Sequence, residues 1–214
     1  ASMPDPNFAP LSDLGRLEQA LDAVFASYGV SRKLDLYLTE YGYETNPPDP
    51  FRGVSLGTQS LYLNEAQYMA WRDPRVRAMS QFLLFDSLPD PSSKPGTQRY
   101  WSTFQTGLRY ASGAYKPSYG SYRLPLFLPN PRLSGGKVLV WAMLRPAPQG
   151  TPEHATVQWR PLPGGAFRTA ATLSTSDPNG VLSGDVSLPG PGVVRVQWRA
   201  PGGSMYLSRR VGVR

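Results

Sequence analysis

Residues 34–45 read Leu-Asp-Leu-Tyr-Leu-Thr-Glu-Tyr-Gly-Tyr-Glu-Thr, an apolar run rich in Leu and Tyr that ends at the carboxylate of Glu40. Gly42 follows shortly after and allows the chain to turn. This pattern is typical of a buried strand that presents an acid at its carboxyl end, where parallel α/β enzymes place their catalytic groups. It raises the hypothesis that Glu40 is catalytic. The alternative is a structural acid that pairs with a nearby arginine.

Helical patterns flank this strand. Upstream, apolar residues recur at spacings of three and four, which predicts one helical stripe made of Leu14, Leu17, Leu21, Val24 and Tyr28. Downstream, Ser55 is a suitable N-cap for a helix over residues 56–71. A second apolar strand over residues 79–85 then leads to its own acid, Asp86. The order helix, strand, helix, strand predicts two parallel strands joined by a right-handed crossover.

Two strands are too few for an independent sheet, because about three are needed for stability. Residues 1–125 are therefore interpreted as part of a larger α/β domain. The aromatic-rich segment over residues 96–125 is predicted to close the end of that domain, with a last helix over residues 116–124.

From residue 126 onward, short alternating strands replace the helical patterns. Six apolar runs are separated by turns rich in Gly and Pro: residues 138–144, 156–162, 166–173, 181–188, 193–199 and 205–213. In the fifth run, Val194, Val196 and Trp198 fall on one face and the charged residues on the other, as in a half-buried antiparallel strand. Residues 126–214 are therefore predicted to form a β-sandwich of the immunoglobulin or fibronectin type.

The charge distribution supports this division into two domains. Residues 1–125 carry 12 basic and 12 acidic side chains, whereas residues 126–214 carry 10 basic and 3 acidic ones. The net charge of +7 thus belongs to the second part. Its arginines are spread along predicted strands without a Lys/Arg run, which favours a solvated basic face over a nucleic-acid partner.

The residue inventory excludes several kinds of chemistry. The chain contains no cysteine and a single histidine, His154. Disulfides, thiolate metal sites and a cysteine nucleophile are thereby excluded, and neither a metal nor a cofactor is predicted. A Ser-His-Asp triad would have to use His154, yet no nucleophile-elbow motif occurs. No apolar run reaches the roughly 18 residues of a membrane span, so no membrane partner is predicted.

Several motifs of the first part follow one another in a definite order: Thr39-Glu40-Tyr41-Gly42-Tyr43 at a strand end, a strand ending near Phe85-Asp86, and then Trp101, Gly107-Leu108, Gly113 and Lys116-Pro117-Ser118-Tyr119. This order resembles the final third of retaining glycoside hydrolases of the (β/α)8-barrel clan. The likeness is greatest to actinobacterial glycosidases of the cellulase-like and xylosidase-like families, and it covers residues 8–125.

The resemblance implies roles for four residues. In that family the Thr-Glu-aromatic-Gly motif ends strand seven and its Glu is the nucleophile, which implies the same role for Glu40. Strand eight usually ends in a Trp that floors the sugar subsite, and Phe85 takes the matching place here. The hydroxyl of Tyr43 is a candidate for keeping the nucleophile ionised. Asp86 is assigned either to the substrate site or to a loop cap or ion pair.

The family's acid/base Glu ends strand four, which would lie upstream of Ala1. The expectation is therefore the C-terminal portion of a retaining glycoside hydrolase that is inactive as this chain alone. Its substrate would be an oligo- or polysaccharide, and the missing N-terminal barrel part or a homo-oligomer would complete it. The resemblance also implies a secreted or cell-surface protein, although the first residues show no signal peptide.

The alternative from another class is a non-catalytic carbohydrate-binding or cell-wall-associated module. An exposed row of tryptophans in the second part would favour it. The alternation of the strands instead predicts that Trp141, Trp159 and Trp198 lie in the sandwich core.

Overall fold

The computed structural model describes residues 8–145 and 151–214 and shows a mixed α/β chain with more strand than helix. The first part contains, in order, a 3-10 turn (Leu11–Asp13), α1 (Leu14–Ser27), β1 (Leu36–Tyr41), β2 (Thr45–Asn46), β3 (Val54–Ser55), α2 (Leu56–Arg72), β4 (Val76–Gln81) and α3 (Pro117–Arg123). Residues 1–7 of the predicted first domain lie outside the described residues. None of the described helices combines the length and apolarity that crossing a membrane requires.

The parallel pair predicted from the sequence is confirmed. β1 and β4 pair in parallel, with Leu36 opposite Val76 and Leu38 opposite Met79, and α2 lies between them in the chain. The predicted second helix is also confirmed, and the Ser55 Oγ caps it by accepting the N–H of Thr58 at 3.1 Å. Among the described residues these two strands have no third partner, so the barrel itself stays a prediction.

The second apolar strand ends earlier than predicted. β4 stops four residues before Phe85, and the Phe82 N–H then donates to the Tyr41 carbonyl at 2.8 Å. The residues that follow pair instead with the backbone of residues 107–109. The prediction that Phe85 and Asp86 end this strand is therefore wrong, because their backbone belongs to a different, non-local pairing.

The described residues of the second part, 126–145 and 151–214, form two antiparallel sheets. Their strands are β5 (Leu126–Phe127), β6 (Lys137–Met143), β7 (Glu153–Pro161), β8 (Arg168–Thr175), β9 (Val181–Ser187), β10 (Gly192–Arg199), β11 (Met205–Leu207) and β12 (Val211–Val213). One sheet has the order β11-β10-β7-β8, with β12 also paired to β10, and the other has the order β5-β6-β9. Both sheets contribute to one buried cluster that includes Val140, Leu182, Val157, Val196 and Trp198. The immunoglobulin or fibronectin type stays a prediction.

The last predicted strand is divided in two by Ser208. The Ser208 N–H donates to the Val196 carbonyl at 2.9 Å, while the Ser208 Oγ accepts the Val196 N–H at 2.8 Å. Because a side chain replaces the next backbone acceptor, the ladder is interrupted and the strand resumes only at Val211. Arg209 and Arg210 occupy this interruption, and their side chains have different partners.

Helix α2 joins the two parts through the buried Asn64. The Asn64 Nδ2 donates to the Ser121 carbonyl at 2.9 Å, and its Oδ1 accepts both the Leu126 N–H and the Arg209 Nε, each at 3.1 Å. Arg209 Nε also reaches the Leu126 carbonyl at 3.1 Å. Burial lowers the pKa of Arg209 to about 10. One amide side chain thus ties α2 to α3, to β5 and to the far end of the second part.

An aromatic contact reinforces this junction. On the next turns of α2, the Tyr68 and Trp71 rings lie 5.6 and 5.9 Å from the ring of Trp141. Trp141 belongs to β6 of the β5-β6-β9 sheet and is fully buried. The helix therefore covers one face of that sheet, and the two parts share apolar contacts as well as hydrogen bonds.

Replacing Asn64 by leucine should weaken the junction more than replacing another buried amide of the same helix. Asn64→Leu leaves the buried Leu126 N–H without its side-chain acceptor, and an unsatisfied buried group costs about 1–3 kcal/mol. Gln67→Leu is the matched control, since Gln67 is buried with no hydrogen-bond partner among the described residues. Urea unfolding of both variants measures the difference, and equal free energies of unfolding would contradict the proposed importance of Asn64.

Candidate functional site

Glu40 lies near the carboxyl end of β1, and its side chain is exposed. Within residues 8–145 and 151–214, no hydrogen bond or ion pair involves its carboxylate, so the alternative of a structural acid paired with an arginine is not observed. Two residues later the chain passes very close to the end of β4: a Cβ on Gly42 would lie 2.2 Å from the Phe82 carbonyl oxygen. A glycine is required at this crossing, and it brings the two strand ends together beside Glu40.

Tyr43 has its own partners on the side of α2. The Tyr41 hydroxyl donates to the Tyr43 hydroxyl at 3.2 Å, and the Tyr43 ring packs on Tyr62 with 4.8 Å between centroids. These three tyrosines, together with Phe8, Glu65 and Met69, line a cavity of about 380 Å³. Burial, followed by the bond to Tyr43, raises the pKa of Tyr41. Among the described residues, the Tyr43 hydroxyl makes no hydrogen bond to the Glu40 carboxylate, so its predicted role in keeping Glu40 ionised stays a prediction.

Asp86 lies in a buried ion pair with Lys116. The Lys116 Nζ donates to the Asp86 Oδ1 at 2.6 Å, and the two side chains are 0% and 2% exposed. Nζ also donates to the Thr45 Oγ1 at 2.7 Å and to the Gln105 carbonyl at 3.0 Å, so all three ammonium protons are used. Burial raises the pKa of Asp86 and lowers that of Lys116, and their mutual attraction opposes both shifts.

The same buried layer contains Gln59. Its Nε2 donates to the carbonyls of Tyr43, Thr106 and Gly107 at 3.0, 3.2 and 3.3 Å, while the Gly107 N–H donates to the Asp86 Oδ1 at 2.8 Å. A Cβ on Gly107 would lie 2.4 Å from the Asp86 nitrogen, so only glycine fits there. Tyr43 and Asp86, two of the predicted site residues, are thus linked through the framework beneath the site.

Phe85 lies on the surface beside an arginine and a second ring. The Arg109 guanidinium lies 4.7 Å from the centroid of Phe85 and 4.5 Å from that of Tyr115. Two hydrogen bonds from Arg109 to the Gly113 carbonyl, at 2.9 and 2.6 Å, hold the guanidinium in place. Phe85 is 42% exposed and Tyr115 is 61% exposed. This exposed stack of Phe85, Arg109 and Tyr115 could not be found from the sequence, because residue spacing does not show which ring Arg109 contacts.

The carboxyls of Glu44 and Asp49 form a pair in the loop after β1. Asp49 is fully buried, and its Oδ1 accepts the Phe51 N–H at 2.8 Å. The Glu44 carboxyl lies beside that of Asp49. Burial, followed by the influence of the Asp49 carboxyl, raises the pKa of Glu44 to about 7, against the opposing effect of Arg52. Residue spacing does not predict this pair, because the two carboxyls come together through the loop that β2 and β3 close.

No protein-family profile and no curated protein matches this sequence. Among solved structures, β-glucuronidase 2 of Bacteroides uniformis, covalently bound to cyclophellitol-6-carboxylate aziridine, is similar over 94% of this chain and 24% of its own, at 15% identity and a TM-score of 0.37. The superoxide reductase (neelaredoxin) of Ignicoccus hospitalis is similar over 42% of this chain and 78% of its own, at 9% identity and a TM-score of 0.34. The E23A form of that superoxide reductase is similar over 45% of this chain and 85% of its own, at 8% identity and a TM-score of 0.35. Likenesses this weak assign neither a fold family nor an activity.

Removing the ammonium from the buried pair should be costly. Lys116→Met leaves the Asp86 carboxylate buried without its cation, and breaking a buried pair in this way costs about 3–5 kcal/mol. The double variant with Asp86→Asn removes the stranded charge as well, so it should recover part of the loss. Chemical unfolding of the single and double variants tests this, and a double variant no more stable than Lys116→Met would show that the charge pair is not the cause.

The Glu44 carboxyl should make stability fall as the pH rises. Its folded-state pKa of about 7 exceeds the ordinary value of 4.5, so its contribution is complete below the lower value and is lost as the pH passes through the upper one. Glu44→Gln keeps the size of the side chain and removes its ionisation. The wild-type Tm should therefore fall more steeply between about pH 5 and 8 than that of the variant. Calorimetry across this range is the measurement, and parallel curves would refute the assignment.

Proposed function

We propose that this chain is the C-terminal portion of a retaining (β/α)8-barrel glycoside hydrolase, with Glu40 as its nucleophile. The observation that carries the proposal is the position of Glu40. Its carboxylate is exposed and, among the described residues, unpaired, at the carboxyl end of a strand in a parallel β-α-β unit. A nucleophile must be ionised and accessible, and a structural carboxylate would instead have a partner.

Retention of configuration requires a second carboxyl about 5–5.5 Å from the nucleophile to protonate the leaving oxygen. The acids nearest in sequence are engaged elsewhere, Glu44 with Asp49 and Asp86 with Lys116. On this proposal the acid/base residue comes from another barrel strand. The isolated chain should therefore not hydrolyse ordinary glycosides, whose leaving groups need protonation.

Phe85 is the predicted site residue whose environment best suits an oligo- or polysaccharide. Its exposed ring, next to the Arg109 guanidinium and the Tyr115 ring, offers an apolar face for a sugar ring and donors for its hydroxyls. Asp86 acts in this proposal through its ion pair, which holds the segment carrying Phe85. The contact of Tyr43 with the nucleophile would form only when substrate or the rest of the barrel is present.

The proposal also includes a partner. Within the described residues β1 and β4 are bordered by no other strand, and Tyr37 on β1 is 63% exposed. Open strand edges and exposed rings favour covering by further chain. We propose that the N-terminal part of the barrel covers these strand edges, or that a second copy of this chain does so. A secreted or cell-surface location belongs to the same proposal.

The second candidate is a carbohydrate-binding module without catalysis. The exposed stack of Phe85, Arg109 and Tyr115 favours this candidate, because sugar binding on such a stack requires no second carboxyl. The tryptophans of the second part give it no support: Trp141 is fully buried against Tyr68 of α2, Trp198 is fully buried in the core between the two sheets, and Trp159 packs against that core. The two candidates differ in what they require of Glu40.

A 2,4-dinitrophenyl 2-deoxy-2-fluoroglycoside separates the two candidates. Its leaving group departs as a phenolate without protonation, so the Glu40 oxygen can bond to the anomeric carbon even where no acid is present. The fluorine slows hydrolysis of the resulting ester. After incubation with a panel of such glycosides, intact and peptide mass spectrometry should show one added glycosyl unit on the Glu40 peptide.

Glu40→Gln should abolish this labelling, and the control Glu65→Gln on α2 should not. Labelling of another carboxylate, or no labelling by any sugar of the panel, would contradict the assignment of Glu40 as nucleophile. Glycan binding that survives in Glu40→Gln but disappears in Tyr115→Ala would then support the binding module.

A further inference from the structure

Phe167, just before β8, lies among three arginines that come from distant parts of the chain. The guanidinium carbons of Arg195, Arg160 and Arg210 lie 3.9, 5.5 and 5.8 Å from the centroid of its ring. Three positive charges therefore converge on a single ring. We call these four residues the Phe167 cluster.

The antiparallel pairing explains why these residues meet. Arg160 lies near the end of β7, opposite Val193 of β10, and Arg195 follows two positions later on the same face of that strand. Arg210 lies in the interruption between β11 and β12, where the Ser208 contacts break the ladder. The cluster is thus built on a sheet and not on mobile loops alone.

Arg195 is held in place before any ligand arrives. Its Nε donates to the Gln158 Oε1 at 2.8 Å, and Gln158 is itself bound to Gln197. Burial, followed by the charge of Arg210, lowers the pKa of Arg195. A guanidinium oriented by a neighbouring amide and a ring loses little freedom when it binds an oxyanion.

No carboxylate compensates this cluster among the described residues of the second part. Glu153 accepts a hydrogen bond from the buried Trp198 Nε1 at 2.9 Å, Asp177 accepts backbone N–H groups of its own turn, and Asp185 lies on β9 of the other sheet. The three arginines repel one another without an internal counter-charge. Such an arrangement lowers the free energy of any anion placed beside them.

We propose that the Phe167 cluster is a binding site for an acidic polysaccharide, whose sulfate or carboxylate groups are bound by the three guanidiniums. Guanidinium groups match both oxyanions through paired N–H donors. The site is separate from Glu40 and does not depend on the proposed hydrolase activity.

The surrounding surface favours a polysaccharide over a nucleic acid. Beside the arginines, the same face of the sheet presents neutral amides and hydroxyls in register: Gln158 with Thr169, and Gln197 with Thr156 and Thr172. These groups suit sugar hydroxyls, whereas a nucleic-acid backbone is followed by cations spaced along a groove. The three guanidiniums here converge on the Phe167 ring. This arrangement suits a polysaccharide in which a charged sulfate or carboxylate group is followed by uncharged sugar hydroxyls.

Calorimetric titration of the whole chain with dextran sulfate, polygalacturonate and neutral dextran tests the proposal, with a 20-base-pair DNA duplex as the nucleic-acid arm. We expect binding to at least one of the two acidic polymers and none to dextran. Arg195→Gln should weaken that binding about tenfold, as expected for loss of one charge-assisted contact. The matched control Arg199→Gln removes the same charge from the same strand and should change the affinity less than twofold, because Arg199 is not part of the Phe167 cluster and donates to the Gly203 carbonyl at 3.2 Å.

Arg195→Lys keeps the charge but not the paired donors, so it should bind more weakly than the wild type. Circular dichroism melting of each variant confirms that it is folded. If Arg195→Gln and Arg199→Gln weaken binding of the acidic polymer equally, net charge alone explains the binding, and the proposal is overturned. Full affinity in Arg195→Gln, or tighter binding to the duplex than to either acidic polysaccharide, would also overturn it.

Discussion

The buried ammonium of Lys116 is the constraint on which the first part depends. Among the residues that the structure describes, no other cation pairs with Asp86. The other two protons of Lys116 hold the loop after β1 and the segment before Gly107. Desolvating a charged pair is costly, and it is tolerated only when every donor is satisfied. Here a single nitrogen fixes three segments that no regular sheet connects. The position of Phe85, and hence the exposed stack beside the candidate site, follows from it.

The junction between the two parts follows the same principle with neutral groups. Asn64 uses both its amide nitrogen and its oxygen on backbone and side chain from three separate elements, while Trp141 places an aromatic ring from the β-sheet region against α2. The second part therefore supports the helix that connects β1 and β4.

Sequence patterns correctly predicted the features that depend only on residues close together in the chain. The Ser55 cap, the helix that follows it and the alternation of β10 depend on neighbours within a few residues, and the structure has all three. Two of the three partners of Lys116 lie 30 and 71 residues away along the chain, so its burial could not be inferred from the sequence of residues 111–119. The early end of β4 and the Phe167 cluster were missed for the same reason: the first depends on pairing with residues 107–109, and the second on the register of three strands.

The interruption at Ser208 has a consequence for how this protein can evolve. Arg209 and Arg210 are adjacent, yet one is anchored at Asn64 and the other stands over Phe167. Because the two residues are adjacent, inserting or deleting one residue just before them would displace both side chains from these partners. The bond that joins the two parts and the cationic surface therefore constrain the length of this short segment together.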